Sequence, residues 1–322
     1  MKAALAERYG PPEKAVRVID VEKPVPGEDQ VLLKVHAASV NISNYYNISG
    51  MTRLFGGGVR RPKDPRLGSD VAGRVEEAGG KVTKFRRGDE VFGTCPGALA
   101  EYAVAREIRL ALKPSNISFE EAAAVPVAGL TALQCLRDKG HVRAGQEVLV
   151  NGASGGVGTF AVQIAKAFGA QVTGVCSTRN QEQALSIGAD HVIDYTKEDF
   201  AKSRQCYDLI SDMVGNHSVS AYKRAMGPNG ICVIVGFAGN PLLGLAKFSL
   251  LGKIGSIRGT KKVRFMGIAK INAEDLGFMA ELLAAGKVKP VIEKRCMLSE
   301  AGQALQYIGG KHTRGKVVIT VP

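Results

Sequence analysis

The pattern of hydrophobic and polar positions changes near residue 125. Before it, short apolar or alternating runs such as 30–37 are separated by Pro and Gly turns, which predicts many short strands in a β-barrel-like unit. After it, apolar runs alternate with helical stretches, which predicts a parallel, doubly wound sheet with its ligand at the carboxyl ends of the strands. The strands predicted for this second region are 147–151, 171–175, 190–193, 208–212 and 231–235.

Two helix starts carry capping residues. Ser118 is followed three positions later by Glu121, and Asn272 precedes an acidic first turn, so both are predicted to be N-caps. Further on, the pattern predicts a helix from Ser299 to Ile308 and a strand at 315–319.

A glycine-rich turn follows the strand predicted at 147–151. Ala153, Gly155 and Gly158 occupy the first, third and sixth positions of the dinucleotide fingerprint, and an apolar-faced helix follows from Phe160. Glycines let backbone amides approach a pyrophosphate, and a helix N-terminus adds partial positive charge. This order of strand, turn and helix predicts a dinucleotide site; the alternative is a turn of the same composition that binds nothing.

The run from Gly145 to Lys166 resembles the signature of the quinone oxidoreductase group of the medium-chain dehydrogenases/reductases. The similarity includes Leu149, residues 153–158 and Gln163. Similar landmarks earlier in the chain are Ala38-Ser39-Val40-Asn41, Gly68-Ser69-Asp70-x-x-Gly73 and Gly88-Asp89-x-Val91. The resemblance implies an α/β protein that forms homodimers. It consists of a GroES-like β-barrel substrate domain, residues 1–124 and 268–322, and an inserted doubly wound Rossmann nucleotide-binding domain, residues 125–267.

The end of the second predicted strand indicates the cofactor. An acidic residue there usually holds the ribose 2′-hydroxyl of NADH, but the chain has Ser177, Thr178 and Arg179. The hydroxyls can donate to phosphate oxygens, and Arg179 can pair with a dianion. These residues predict NADPH rather than NADH; a solvated Arg179 at a helix start is the alternative.

Other cofactor contacts are implied by the resemblance. Tyr195 matches a tyrosine on the adenosine-phosphate side, Thr131 a threonine near the nicotinamide ring, and Lys316 a residue that reaches the cofactor. Alternatively, Tyr195 is an ordinary aromatic residue at a strand end, and Lys316 is an ordinary surface lysine. The remaining predicted contacts are Ser154, Gly155, Gly156 and Val157 in the glycine turn, and Asp212, Val235, Gly236 and Phe237 at the ends of the fourth and fifth strands.

The chain lacks the ligands with which zinc-dependent relatives hold their metal. Where those relatives have Cys, His and Cys, the matching positions are Asn41, Ser69 and Val127. The six cysteines are far apart without a C-x-x-C, and the five histidines are isolated. We therefore predict no metal, and reduced thiols in a cytoplasmic protein.

A reductase without a Lewis acid needs an acceptor that conjugation already activates, such as a quinone or an α,β-unsaturated carbonyl. Hydride transfer from nicotinamide C4 then places negative charge on the distant oxygen, which positioned donors stabilise. Asn41 is the candidate donor, or else a turn-capping amide, and Tyr46 is a wall of the site or a proton-relaying phenol. The family's Asn-Pro-x-Asp is Asn41-Ile42-Ser43-Asn44 here, so its carboxylate is absent.

Composition adds limits on partners. The 322 residues suit about two domains, and 43 Lys and Arg against 30 acidic residues give a net charge of +13. This excess favours anionic partners, but its scatter and the absence of Trp argue against a stable nucleic-acid partner. A nucleic-acid-binding protein of this fold and an NADPH sensor without turnover are the alternatives to an enzyme.

Two segments have open interpretations. The loop 50–63 is either a substrate lid or a solvated connection. Residues 241–253 are apolar and are followed by cationic residues up to Arg264, too short a stretch to span a bilayer. This second segment is a buried helix, a dimer contact or a piece in peripheral contact with a membrane. The N-terminus has no long apolar run of a signal peptide, which agrees with a cytoplasmic protein.

Overall fold

The computed structural model describes residues 1–53, 58–237, 259–310 and 313–322. Residues 54–57 of the loop at 50–63 and the apolar segment at 241–253 therefore lie outside the described residues. None of the helices in the described part of the chain has the length and apolar character needed to cross a bilayer.

The chain is a succession of short strands and helices. In chain order the strands are β1 (Lys2–Ala6), β2 (Val16–Asp20), β3 (Gln30–Val40), β4 (Asp70–Ala78), β5 (Glu90–Thr94), β6 (Tyr102–Arg106), β7 (Leu110–Leu112), β8 (Glu147–Asn151), β9 (Gln171–Cys176), β10 (His191–Asp194), β11 (Tyr207–Asp212), β12 (Met226–Ile234), β13 (Lys262–Phe265), β14 (Ile292–Met297) and β15 (Lys316–Thr320). The helices are α1 (Pro12–Ala15), α2 (Ile42–Ile48), α3 (Phe119–Ala123), α4 (Pro126–Gln134), α5 (Gly158–Ala167), α6 (Gln181–Ser186), α7 (Val219–Ala225), α8 (Ala273–Ala284) and α9 (Ala301–Gly309).

The predicted caps are present at α3 and α8. The Ser118 hydroxyl accepts from the Glu121 N–H at 3.1 Å, and the Glu121 carboxylate accepts from the Ser118 N–H at 2.8 Å. At α8, the Asn272 side chain accepts from the Asp275 N–H at 2.7 Å. Both helices therefore begin where local hydrogen bonding satisfies their first free amides.

The chain folds into two compact units. The first contains Met1–Leu130, Lys270–Gly286 and Pro290–Pro322, and the second contains Thr131–Ala269 and Lys287–Lys289. These limits differ from the predicted 125–267 in three places: the second unit begins at Thr131, ends at Ala269 and also contains Lys287–Lys289. The first residues of α4 belong to the first unit, where the Val127 N–H donates to Asp70. Lys289 belongs to the second, because its backbone N–H and C=O both bond the Gln163 amide.

The first unit contains a mostly antiparallel sheet in the order β14-β15-β3-β4-β5-β7, with β6 paired to β3, and a separate β1-β2 pair. In β3 the alternating residues Val31, Leu33 and Val35 are at most 1% exposed and join the core of this unit. β15 pairs antiparallel with β3, with Val317 opposite Val40. The tail of the chain therefore lies beside the end of β3.

The second unit contains a parallel sheet in the order β10-β9-β8-β11-β12-β13. The strand predicted at 231–235 begins already at Met226, because that residue pairs with Tyr207 of β11. Leu149, Ile210 and Cys232, from three neighbouring strands, are fully buried in one core. The carboxyl ends of these strands meet at one edge of the sheet, which is where open α/β sheets bind ligands.

Candidate active site

The glycine turn is built by close backbone contact between β8 and the start of α5. Gly152 has φ +86°, and a Cβ at Gly158 would lie 2.0 Å from the Gly152 carbonyl oxygen. Only glycine permits this approach. At Gly155, by contrast, a Cβ would meet nothing nearer than that oxygen at 3.6 Å, so the turn leaves open space there. Gly156 and Val157, both partly exposed, complete the turn before α5.

Asn180 joins the glycine turn to the loop after β9. Its amide nitrogen donates to the Ser154 hydroxyl at 3.0 Å and to the Ser177 hydroxyl at 3.2 Å. The side chain is 6% exposed, and within the described residues its amide oxygen has no hydrogen-bond partner. A buried orphan acceptor and the open space at Gly155 fit a bound ligand with hydrogen-bond donors, such as the ribose of a dinucleotide.

Asp194, at the end of β10, lies beneath the loop predicted to bind the 2′-phosphate. The Thr178 hydroxyl donates to its carboxylate at 2.5 Å, and the Thr196 hydroxyl and N–H donate at 2.7 and 3.0 Å. The Thr178 bond, with the weaker help of Thr196 and Lys197, lowers the pKa of Asp194 to about 2 against the opposing effect of desolvation. The carboxylate absent from β9 is therefore supplied by the neighbouring strand, but with its oxygens bonded inside the protein.

The two residues predicted to meet the adenosine phosphate are accessible. Arg179 follows Thr178 in an exposed turn, and Tyr195, directly after β10, is 59% exposed. Both therefore lie at the carboxyl edge of the sheet with their side chains open to solvent.

Asp212, at the end of β11, is fully buried and organises the next loop. One carboxylate oxygen accepts from the Asn151 amide at 3.0 Å and from the Val214 and Gly215 N–H groups at 2.7 and 2.8 Å. The other accepts from the Tyr222 hydroxyl. Because this side chain is bonded within the unit, Asp212 shapes the loop rather than presenting its carboxylate to a ligand.

The end of β12 is held against the same loop. The Val235 N–H donates to the Asp212 carbonyl at 2.7 Å, and a Cβ at Gly236 would lie 2.5 Å from the Met213 carbonyl oxygen. Phe237 then stacks on Phe265, with ring centroids 5.4 Å apart. Gly236 is therefore required for the backbone contact between the two loops, and all three predicted residues lie at this edge.

Replacing Tyr222 by Phe should lower the free energy of unfolding of the second unit by about 1.5–3 kcal/mol, because the buried Asp212 carboxylate loses a hydrogen bond. Burial raises the pKa of Tyr222, so the phenol is protonated and is the donor of this bond. Urea unfolding measures the change. Tyr207→Phe is the matched control, since Tyr207 is also fully buried but its hydroxyl bonds no carboxylate among the described residues. Equal losses in the two variants would contradict the assignment.

The first unit contains a buried polar cluster around Asp70, at the start of β4. Asp70 is 0% exposed. One carboxylate oxygen accepts from the Ser39 hydroxyl and the Asn41 amide, both at 2.9 Å, and from the Lys316 ammonium at 3.4 Å. The other accepts from the Val127 N–H at 3.2 Å. The cluster therefore pairs a buried carboxylate with a buried cation.

Asn41 and Lys316 are in direct contact in this cluster. The Lys316 ammonium donates to the Asn41 side-chain oxygen at 2.6 Å, and the Lys316 side chain is 3% exposed. Burial lowers the pKa of Lys316, and the Asp70 carboxylate opposes that shift. Asn44, where the family has an acid, accepts from the Asn41 backbone N–H at 2.8 Å and closes the start of α2. Tyr46 lies further along α2, partly exposed, its ring edge-on to Tyr45 at 6.1 Å.

These residues do not suit a zinc ion. The positions matched to zinc ligands offer an amide, a hydroxyl and a hydrocarbon, whereas zinc prefers thiolate and imidazole. In the described ranges, no three His, Cys, Asp or Glu side chains come together as a possible metal site. The Lys316 ammonium already supplies a positive charge to Asp70.

The predicted cofactor residues divide between the units. The residues of the glycine turn, the loop after β9, Tyr195, Asp212 and residues 235–237 lie in the second unit at one sheet edge. Thr131 is the first residue of that unit, in α4, and is partly exposed. Lys316 is in the first unit, bonded to Asn41. The prediction missed Asn151, Asn180, Asp194 and the central position of Asp70. The sequence signal available for Asn151 and Asp194 was a polar residue at the end of an apolar strand, and for Asp70 it was a polar residue at the start of one.

A glycine turn after the first strand of a parallel sheet with this strand order defines a dinucleotide-binding fold. Residues 27–115 match the family model described as alcohol dehydrogenase GroES-like domain, and residues 187–319 match the model described as zinc-binding dehydrogenase.

Complete relatives narrow the class. The chain is 34% identical to the chloroplast envelope quinone oxidoreductase homolog of Arabidopsis thaliana, over 99% of this chain and 98% of that protein. It is 34% identical to the mitochondrial NAD(P)H oxidoreductase RTN4IP1 of Mus musculus, over 91% of this chain and 82% of that protein. The structure of the quinone oxidoreductase from Coxiella burnetii superposes with a TM-score of 0.87 at 30% identity, covering 100% of this chain and 99% of that one.

The chain therefore belongs to the quinone oxidoreductase group of the medium-chain dehydrogenases/reductases, which confirms the resemblance found in the sequence. The GroES-like and Rossmann-type fold is confirmed with it, and membership makes the protein an NAD(P)H-dependent oxidoreductase.

Proposed function

We propose that the protein uses NADPH to reduce quinones or α,β-unsaturated carbonyls without a metal. The observation that carries this proposal is the buried Lys316–Asp70 ion pair, which holds Asn41, one of the three positions matched to zinc ligands in relatives. An ammonium bonded inside the protein cannot bind a carbonyl oxygen as a Lewis-acidic metal does. The acceptor must then be activated by its own conjugation.

The second unit supports NADPH as the reductant. Bound NADPH supplies the hydride. Gly155 leaves open space and the start of α5 offers amides for the pyrophosphate, and Asn180 holds Ser154 and Ser177 in place beside it. Arg179 adds an exposed cation for the 2′-phosphate, while the oxygens of the Asp194 carboxylate accept hydrogen bonds from the Thr178 and Thr196 hydroxyls.

The substrate class is tested by following NADPH oxidation at 340 nm with matched acceptors. We expect turnover with a p-quinone and with an enal, and none with the saturated aldehyde of the same length. Because no metal takes part, prior dialysis against a zinc chelator should leave the rate unchanged. Loss of activity on chelation, with recovery on adding zinc, would contradict the proposal. Tight NADPH binding without turnover of any acceptor would instead favour a sensor.

A further inference from the structure

The proposed function leaves a role for the buried cation. We propose that Lys316 is a positioning residue for the carbonyl acceptor: it fixes the Asn41 amide so that one amide N–H is available to the acceptor oxygen. This inference rests on the proposed function, and it gives Lys316 a role different from the cofactor contact that the sequence resemblance implies.

The backbone places Lys316 beside Asn41 with little freedom. β15 and β3 run antiparallel with Val317 opposite Val40, so the residue before Val317 lies next to the residue after Val40. Gly315 has φ +126°, and a Cβ there would lie 2.4 Å from the Val291 carbonyl oxygen. A larger residue at 315 would push β15 away. The pairing of β15 with β3 therefore places the Lys316 ammonium within hydrogen-bond distance of the Asn41 amide.

The orientation of the Asn41 amide follows from its partners. An ammonium can only donate and a carboxylate can only accept, so the amide oxygen faces Lys316 and the amide nitrogen faces Asp70. One N–H bonds Asp70 at 2.9 Å, whereas the contact of the amide nitrogen with Ser69 is 3.5 Å, at the outer limit of a hydrogen bond. This second N–H is the donor available to a ligand, and Asn41 is partly exposed.

The reaction requires such a donor. When the conjugated carbon of the acceptor gains the hydride, a C–H bond forms and the electron pair of the double bond moves toward the carbonyl oxygen. With NADPH as the two-electron donor, the resulting enolate would take a proton from solvent, and a reduced quinone would then tautomerise to the hydroquinone. Negative charge develops on the oxygen during transfer, so a pre-oriented N–H stabilises the transition state more than the ground state. The cation on the amide oxygen also draws electron density from that N–H, which strengthens it as a donor.

The test removes both buried charges together. Lys316→Met alone leaves Asp70 buried and unpaired, which destabilises the fold, so the variant is Lys316→Met with Asp70→Asn. The matched control is Lys294→Met on β14, an exposed lysine opposite Val317. Thermal melting establishes that both variants are folded. Two ligands are then titrated against each protein: NADPH, and 4-nitrophenolate as an unreactive mimic of the anionic oxygen.

We expect kcat of the double variant to fall by about 10- to 100-fold. This loss is no larger than the loss on removing one oxyanion donor, because the Asn41 amide is still present but is no longer held in place. The affinity of this variant for 4-nitrophenolate should fall about 10-fold, the size of one hydrogen bond to a charged group, and its Kd for NADPH should stay within about 2-fold. A rise in the NADPH Kd with unchanged kcat would make Lys316 a cofactor ligand and overturn the inference, as would wild-type values throughout.

Phenolate binding separates this inference from the proposed function. If the wild-type protein reduces no quinone or enal, the proposed function fails, but the phenolate affinities of the wild type and the double variant still decide the role of Lys316. Equal affinities in the two proteins, or no phenolate binding by the wild type, would refute it.

Discussion

Replacing Gly158 by alanine should weaken NADPH binding by a factor of at least about 100, since losing two hydrogen bonds from amides to phosphate costs about 3 kcal/mol. The added Cβ would lie 2.0 Å from the Gly152 carbonyl oxygen and 2.8 Å from its carbon, distances that real structures do not show. Both atoms belong to the backbone, so the turn and the start of α5 must move apart. Fluorescence titration with NADPH measures the loss.

Gly155→Ala separates the two uses of glycine in this turn. Its Cβ would make only an ordinary contact of 3.6 Å within the protein, so the melting temperature should stay close to that of the wild type. Affinity for NADPH should nevertheless fall, because the methyl group fills the space open to the ligand. Gly158→Ala should lower both quantities. Wild-type NADPH affinity in both variants would mean that this turn does not bind the dinucleotide.

Replacing Arg179 by alanine should reduce kcat/KM for NADPH by about 10- to 100-fold, the size of one charge-assisted hydrogen bond, and leave kcat/KM for NADH nearly unchanged. The reason is that the two cofactors differ only in the 2′-phosphate, and Arg179 follows Ser177 and Thr178 at the end of β9. The measurement is steady-state kinetics with each cofactor at saturating acceptor.

Arg204→Ala is the matched control for this change of charge. Arg204 is also exposed in the second unit, but it precedes the first residue of β11, at the amino edge of the sheet. It should change neither efficiency by more than about 2-fold, because an exposed charge outside the site is screened by solvent. If the wild type uses NADH as efficiently as NADPH, or if Arg179→Ala lowers both efficiencies equally, the assignment of NADPH is wrong.

Local patterns in the sequence were sufficient for the dinucleotide turn and for strands β8 to β11 of the second unit. The strand predicted at 147–151 matches β8, and the glycine turn and α5 follow it. An apolar strand, a glycine turn and an apolar-faced helix can each be recognised from a few neighbouring residues. The caps at Ser118 and Asn272 are equally local. The glycine turn and the start of α5 also carried the family resemblance, and with it the fold.

Local sequence patterns could not predict contacts between residues that are far apart in the chain. Asp194 lies 16 positions from Thr178, and β10 must pair with β9 before the two side chains meet. From the sequence alone, the loop after β9 was therefore taken to have no carboxylate near it, although the Asp194 carboxylate lies beneath that loop. The limits of the units were shifted in the same way, by the bond of Val127 to Asp70 and by those of Lys289 to Gln163.

The sequence by itself determined the class of protein, the place of the dinucleotide turn and the residue types available at the matched zinc positions, because each is a property of residues that are neighbours in the chain. Tertiary structure alone decided what Lys316 does. It lies 275 positions from Asn41, and only the pairing of β15 with β3 brings its ammonium against that amide and the buried Asp70. A buried charge takes its role from its partners, and those partners are chosen by the fold.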